Sequence, residues 1–436
     1  MQQKIVVLGA GESGVGAAFL AQQKGFEVFV SDRGKIKDSF KKELEEKGIP
    51  YEEGQHTIEK IFSATEIIKS PGISDTVPMI VELQEKGIPI ISEIEFASRY
   101  TDAFLIGITG SNGKTTTALL TYHLLQAANL DVVLAGNVGY SFARKVAEKE
   151  VKYYVLELSS FQLDGIDQFR PHISLLLNIT PDHLDRYDYK MKNYIRSKFR
   201  ITGNQTANDT FYFKKEDENI GGYMAEHTIL PQKKAISSTQ IDTEKINSAN
   251  ASFDLSTTRL RGQHNAMNAL FAVSVAKQLQ VSDEQIQAGL DTFVNVAHRM
   301  EVVAEMDGVE YINDSKATNV DATFYALEAM KRPVIWIVGG QDKGNDYQPL
   351  ENLVADKVKS IVFLGVDNMN LIDLYGQQKS WVEAKSAEEA VQKAQIMAEQ
   401  GDVVLLSPAC ASFDLFKNYE NRGDLFREAV LQLKDK

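Results

Sequence analysis

The chain is predicted to be an α/β protein with three domains: a Rossmann-like N-terminal domain, a central P-loop ATPase-like domain and a Rossmann-like C-terminal domain. Three features predict it. Short apolar strands alternate with helices almost throughout, the rhythm of mainly parallel sheets. A strand runs into a glycine-rich loop and then a helix at Gly9–Gly14 and again at Gly110–Thr116. The 436 residues are enough for roughly three domains at about 100–200 residues each.

In the first unit, Lys4–Leu8 reads as a strand, Val15–Lys24 as a helix and Glu27–Asp32 as a second strand. Glu66–Ser70 is a strand that stops at the turn Ser70-Pro71-Gly72, and Ile90–Ser92 closes the unit. The second unit starts with strand Phe104–Thr109 and helix Thr115–Ala128. Strands follow at Val132–Ala135, Tyr153–Leu158 and Ile173–Ile179. The last two are near-continuous apolar runs, as in strands buried on both faces. From about 203 to 256 the pattern weakens around Phe211–Phe213, and an insertion or small antiparallel sheet is expected. Helices resume at Asn265–Leu279 and Asp283–Phe293. The third unit opens with strands Glu301–Met306 and Val309–Asn313 around Asp307-Gly308, a two-residue hairpin signal. Strands at Val334–Val338, Ser360–Leu364 and Asp402–Leu406 restore the β/α rhythm. Boundaries near 93 and 298 give domains 1–93, 94–298 and 299–436.

Bulk properties narrow the function. A formal net charge of −13 argues against nucleic acid as a partner, because neutralising phosphates needs clustered Lys and Arg. Small anionic ligands need only a few local donors. The one cysteine, Cys410, allows no internal disulfide, which fits a reducing cytoplasm. The N-terminus lacks the apolar core of a signal peptide, and no stretch approaches the roughly 18 apolar residues of a membrane helix. A cytoplasmic monomer without a membrane partner is expected.

Gly110-Ser111-Asn112-Gly113-Lys114-Thr115-Thr116 follows a strand and opens a helix, the setting a phosphate loop requires. Backbone N–H groups would close on phosphate oxygens, Lys114 would neutralise β/γ charge, and Thr115 would offer its hydroxyl to Mg²⁺. The strict pattern wants glycine at 108, where this chain has Ile108. Gly9-Ala-Gly11-Glu-Ser13-Gly14, with Asp32 at the end of the next strand, looks like a dinucleotide fingerprint. By itself it says only that a diphosphate or nucleotide sits over the helix; a plain βα turn is the alternative.

Glu157 ends strand Tyr153–Leu158, where ligands of an open parallel sheet bind and where the loop's Mg²⁺ would be. Otherwise it is a solvated strand-end carboxylate. His183, in Asn178-Ile-Thr-Pro-Asp-His183, either ligates a second metal, contacts a phosphate or is structural. Lys198, in a helical stretch, reads on its own as a surface lysine; an ammonium cannot bind Mg²⁺, and only a carbamate would make it an oxygen ligand. In the third unit, Asp314-Ser-Lys-Ala-Thr318-Asn319 is an anion- or sugar-contacting turn or an N-cap cluster. Gly339–Gly344, with Lys343, and Ser407–Asp414, with Ser412, end two further strands, and the three loops converge on one crevice in this reading. Cys410 has no indicated histidine partner and reads as a buried or lining thiol.

GITGSNGKTT, ELSSFQL, NITPDHLDRY, GQHNAMNA, HRMEVV, INDSKATN and SPACASFDLFKNYENRG, in this order and spacing, resemble the Mur ligase family. The likeness covers nearly the whole chain and is nearest to the branch that adds D-glutamate to UDP-N-acetylmuramoyl-L-alanine. It implies that Ser13, Asp32, Arg33 and Gly72 hold the UDP moiety and that Asn137 and His183 contact the muramoyl substrate. It implies that Gly110–Thr116, Asn268, Arg299 and Asp314 hold ATP. Thr115 and Glu157 would ligate a first Mg²⁺, and His183 with a carbamylated Lys198 a second. Thr318, Lys343 and Ser412 would hold D-glutamate, beside Tyr419, where the family pattern has phenylalanine.

The implied reaction has ATP phosphorylate the alanyl carboxylate before the D-glutamate amine attacks the acyl phosphate. Rival readings are another amino-acid ligase of this family or of the folylpolyglutamate type, a nicotinamide oxidoreductase built on Gly9–Gly14, and a regulatory P-loop NTPase. No Asp-Asn-Pro-Arg segment of the diaminopimelate-adding kind is present. The oxidoreductase leaves the second loop unexplained, and the NTPase leaves Gly339–Gly344 and Ser407–Asp414 without a role.

Overall fold

Strand Lys4–Leu8, buried beyond its first residue, is the middle of a parallel five-stranded sheet. In space the order is Tyr51–Glu53, Glu27–Asp32, Lys4–Leu8, Glu66–Lys69, Ile90–Ile91. The winding reverses between Lys4–Leu8 and Glu66–Lys69, so their following loops, Gly9–Gly14 and Pro71-Gly72, flank the crevice where such sheets bind ligands. The helix after the first strand runs Glu12–Gln23, which puts Ser13 in its first turn. This computed structural model describes residues 3–295, 297–342 and 344–433.

The second sheet has six parallel strands, in the order Gln232–Ile236, Thr210–Lys214, Ile173–Leu176, Phe104–Thr109, Tyr153–Glu157, Val132–Gly136. The expectation of an insertion or small antiparallel sheet over 203–256 needs correction for its first half. Thr210–Lys214 and Gln232–Ile236 extend the parallel sheet, and only Ile241–Asp242, Lys245–Ser248 and Ala251–Asp254 form a separate three-stranded antiparallel sheet. The outermost strand, Gln232–Ile236, exposes all but its last residue, so it carries no apolar signal. Helices Glu12–Gln23, Glu93–Ser98 and Phe142–Glu148 contribute Leu20, Phe96 and Phe142 to one apolar core with Ile5, Leu105 and Tyr154 from both sheets.

The third sheet opens with the antiparallel pair Glu301–Met306 and Val309–Asn313. Asp307 and Gly308 have φ of 51° and 74°, so both turn residues are left-handed, as the hairpin signal requires. Parallel strands Val403–Leu406, Val334–Val338, Val358–Leu364 and Ser380–Ala384 complete it. The fold is the expected three-domain α/β architecture. By contacts the chain groups into two compact units: Met1–Asp254 with Asn268–Leu290, which holds the first two sheets, and Leu255–Met267 with Asp291–Lys436, which holds the third. No helix among the described residues is long and apolar enough to cross a membrane.

Candidate active site

The phosphate loop emerges from strand Phe104–Thr109 and enters helix Lys114–Ala127. Ile108 is fully buried within the strand, paired with Glu157 and Leu175, so the loop proper begins at Gly110. Gly113 has φ +82°, and a Cβ there would stand 2.4 Å from Asn268 Oδ1, so only glycine fits. This places Asn268 against the loop. The loop is clamped from the side by the segment after strand Ile173–Leu176. Ser111 N donates to Asn178 O (3.0 Å) and Asn112 N to Asn178 Oδ1 (2.8 Å), while Asn178 Nδ2 donates to Asn112 O (3.0 Å). Ser111 Oγ donates to Thr180 O (2.8 Å) and accepts from Thr180 N (2.9 Å). Thr115 and Thr116 are buried in the first helical turn.

Two lysine side chains converge on the loop. Lys114 Nζ donates to Gly110 O (2.8 Å) and Ser111 O (2.7 Å), and Lys198 Nζ donates to the same Gly110 O at 2.8 Å. The reading of Lys198 as a surface lysine is therefore wrong: the residue is 1% exposed. Helix Met191–Phe199 buries its Tyr194, Ser197, Lys198 face, which is polar in sequence but turned inward. Burial, reinforced by the charge of Lys114, drives the Lys198 pKa well below the ordinary lysine value. His183, with φ 52°, packs edge-on against Phe161 at 5.1 Å. Its pKa is lowered by desolvation and by the charges of Lys114 and Lys198, against the pull of Asp182.

Glu157 is 2% exposed, not the solvated carboxylate the sequence allowed. Its Oε1 accepts from Asn137 Nδ2 (2.7 Å) and its backbone O from Asn137 N (2.9 Å), while Oε2 is buried with no hydrogen-bond partner among the described residues. A buried anionic oxygen without a donor is costly unless something positive binds it. Among the described residues no three His, Cys, Asp or Glu side chains form a ready metal cage. Mg²⁺ needs none, since it is commonly held by one or two carboxylates with phosphates and water. The orphaned Glu157 oxygen and the Thr115 hydroxyl are donors of the class it takes.

In the first domain, Asp32 Oδ2 accepts from Ala10 N and Oδ1 from Gly34 N, both at 2.7 Å. The carboxylate thus ties the glycine-rich turn to its own loop. Ser13 is half-buried, Arg33 is exposed, and Gly72 O accepts from Arg186 Nη1 at 3.4 Å.

In the unit that holds the third sheet the three strand-end loops do meet. Ser407 Oγ donates to Asp314 Oδ2 (3.0 Å), Gly339 N to Pro408 O (3.0 Å) and Gln341 N to Ala411 O (2.8 Å). Burial raises the Asp314 pKa to about 7, opposed by the charge of Arg299, whose Nε is buried without a hydrogen-bond partner among the described residues. Thr318 is exposed, and Ser412 is buried just before the exposed Phe413. Tyr419 opens helix Tyr419–Gln432, with Lys316 Nζ 5.5 Å from its ring centre. Lys343 lies outside the described residues. Sequence reasoning missed Arg422, 1% exposed. It donates to Ser315 Oγ (2.9 Å), Ser315 O (2.8 Å) and Cys410 O (3.3 Å), joining two of the loops. A cavity of about 260 Å³ lies between Gln341, Asp342, Asn368, Cys410 and Asp414. Burial pushes the Cys410 thiol up to about 11, and Tyr347 Oη sits 3.0 Å from its sulfur, so it lines the cavity as an unreactive thiol.

Comparison with known proteins covers the chain. Family models match as the Mur ligase MurD-like N-terminal domain over residues 3–92, the Mur ligase middle domain over 108–276 and the Mur ligase, glutamate ligase domain over 298–410. A UDP-N-acetylmuramoylalanine–D-glutamate ligase of Christiangramia forsetii is 50% identical, over 99% of this chain and 100% of that protein. One of Porphyromonas gingivalis is 53% identical over 99% of each. Among solved structures, the UDP-N-acetylmuramate-alanine ligase MurC of Thermotoga maritima aligns with a TM-score of 0.63 at 17% identity, over 99% of this chain and 100% of that one. The MurF ligase of Thermotoga maritima in complex with ADP aligns at 0.59 and 15%, over 85% and 90%. At such identities the structures speak for the fold alone.

Proposed function

The chain belongs to the Mur ligase family, and from that premise we propose that it joins D-glutamate to UDP-N-acetylmuramoyl-L-alanine, using ATP, in peptidoglycan precursor synthesis. The observation that carries the reading is the meeting of Lys114 and Lys198 on one phosphate-loop carbonyl, with His183 within the field of both. The positive charge of Lys114 at a helix N-terminus suits a triphosphate and the carboxylate it activates.

A carboxylate and an amine do not condense unaided, because hydroxide is a poor leaving group. An oxygen of the alanyl carboxylate attacks the γ-phosphorus and ADP departs. The D-glutamate amine then attacks the acyl carbonyl, inorganic phosphate leaves, and the new amide nitrogen releases a proton to solvent. The first step needs alignment and charge neutralisation more than covalent help. Gly110, Ser111, Asn112, Gly113, Thr115 and Thr116 cradle the phosphates, Lys114 neutralises them, and Asn268, Arg299 and Asp314 complete the ATP site. Thr115 and Glu157 would hold one Mg²⁺, and His183 with Lys198 a second; such ions, when bound, would spread the charge of the transferring phosphoryl group.

For Lys198 the ligand form is a carbamate. The neutral amine favoured by burial attacks CO₂, a C–N bond forms and a proton passes to water. The depressed basicity of Lys198 supports this. Ser13, Asp32, Arg33 and Gly72 hold the UDP end and Asn137 and His183 the muramoyl end. Thr318, Lys343, Ser412 and Tyr419 hold D-glutamate. Domain boundaries near 93 and 298, a monomeric state and a cytoplasmic location belong to the same proposal. The test supplies ATP, Mg²⁺ and UDP-N-acetylmuramoyl-L-alanine, then offers amino acids one at a time. Phosphate release only with D-glutamate is expected; release with another amino acid, or with none, overturns the assignment.

A further inference from the structure

Glu12 belongs to the first glycine-rich turn, yet its carboxylate bonds to the central domain. Oε1 accepts from Ser141 N (3.1 Å) and Arg144 Nε (2.8 Å), and Oε2 from Arg144 Nη2 (3.1 Å). One turn further along the helix, Gly16 lies so close that a Cβ would stand 1.9 Å from Ser141 Oγ. Ser141 closes a short segment whose other end meets the metal site. Gly136 N donates to Tyr140 O (3.1 Å), and Asn137 holds Glu157 through the backbone (2.9 Å) and through Oε1 (2.7 Å). The joint is braced beyond Ser141. Ser141 Oγ accepts from Arg144 N (3.1 Å), Glu93 Oε1 accepts from Ala143 N, and Arg144 Nη1 pairs with Glu43 (2.7 Å). Ser141 Oγ and Glu93 satisfy backbone N–H donors that helix Phe142–Glu148 would otherwise leave open.

We infer that Glu12 is a positioning residue that couples the nucleotide-sugar site of the first domain to the metal site of the central domain. A diphosphate seated on Gly9–Gly14 fixes the start of helix Glu12–Gln23. Glu12 passes that restraint to segment Gly136–Ser141, and Asn137 passes it to the Glu157 carboxylate. The inference rests on the proposed roles of Gly9–Gly14 and Glu157. Because such coupling is reciprocal, metal affinity rises when the first site is filled.

The experiment measures binding, not turnover. Mn²⁺ affinity is read by electron paramagnetic resonance with a non-hydrolysable ATP analogue, with and without UDP-N-acetylglucosamine, which carries no carboxylate to reach the metal. In the parent protein the sugar nucleotide is expected to tighten Mn²⁺ binding by about fivefold or more. In Glu12→Ala, and in Glu12→Asp, whose shorter side chain cannot span Ser141 and Arg144 together, the tightening should fall below about twofold. Glu12→Gln, which keeps an oxygen for Ser141 N, should retain most of it. Full tightening in a folded Glu12→Ala overturns the coupling, as does its absence from the parent. Should Glu12→Ala not fold, Glu12→Asp decides the matter by the same criterion. Glu157→Gln separates the coupling from the assignment beneath it: Mn²⁺ affinity indifferent to that change overturns the metal role of Glu157 and the coupling with it. Weakened Mn²⁺ binding in Glu157→Gln beside full tightening in Glu12→Ala defeats the coupling alone.

Discussion

Replacing Glu93 by glutamine should change how stability depends on pH. Glu93 is 3% exposed; Oε1 accepts from Ala143 N, and Oε2 is buried without a hydrogen-bond partner among the described residues. Burial raises its pKa from 4.5 to about 8, the neighbouring Glu12 charge adds to the rise, and the N–H groups of Ala143 and Phe142 oppose it. The folded carboxyl therefore keeps a proton across a range in which the unfolded chain has lost it. Where the folded state binds more protons, stability falls as pH rises, here between about 4.5 and 8. At about 1.4 kcal/mol per pH unit, the loss accumulates to on the order of 4 kcal/mol by pH 8. Glutamine is neutral throughout and keeps an oxygen for Ala143 N. The assay is urea unfolding of parent and Glu93→Gln at pH 5, 6.5 and 8. The variant should gain on the parent steadily with pH, by several kcal/mol in all. Parallel profiles would refute the reasoning, because they would mean that Glu93 ionises as freely folded as unfolded.

Three further perturbations act on the phosphate loop. Lys114→Ala removes the charge on the phosphates and should slow turnover by roughly 10³-fold, from about 4 kcal/mol of lost stabilisation; near-normal kcat would sink the phosphate-loop assignment. Gly113→Ala puts a side chain at φ +82° and 2.4 Å from Asn268 Oδ1. With about 1–2 kcal/mol of left-handed strain before the clash is counted, calorimetry should show ADP affinity falling about tenfold or more. Asn178→Ala strips both side-chain bonds from Asn112. At about 1–3 kcal/mol for unpaired backbone groups, nucleotide affinity should drop with little change in the KM for D-glutamate, and an unaltered ADP affinity would count against the clamp.

The parts of the fold most legible in the sequence were those whose burial is continuous. Lys4–Leu8, Phe104–Thr109 and Val334–Val338 are apolar runs ending in glycine-rich loops, and each forms a strand with the bounds expected. Edge strands Tyr51–Glu53 and Ser380–Ala384 escaped notice because most of their residues face solvent or lie half-buried. Strand Ile173–Leu176 stops short of Ile179 because Leu177, Asn178 and Thr180 turn to hold the phosphate loop. That contact joins residues 66 positions apart, and local pattern cannot announce it. Arg422 is a similar case, reaching Ser315 across 107 positions. Lys198 shows the limit most clearly. A lysine on a polar helical face reads as exposed, and only the packing of that helix under the phosphate loop turns it inward.

In the proposed reaction the alanyl carboxylate is activated by phosphorylation before the amine attacks. If so, one carboxylate oxygen must leave with the phosphate. UDP-N-acetylmuramoyl-L-alanine carrying ¹⁸O in both carboxylate oxygens, turned over with ATP and D-glutamate, should yield inorganic phosphate with one ¹⁸O per molecule by mass spectrometry. Unlabelled phosphate, formed alongside the amide product, would contradict the claim.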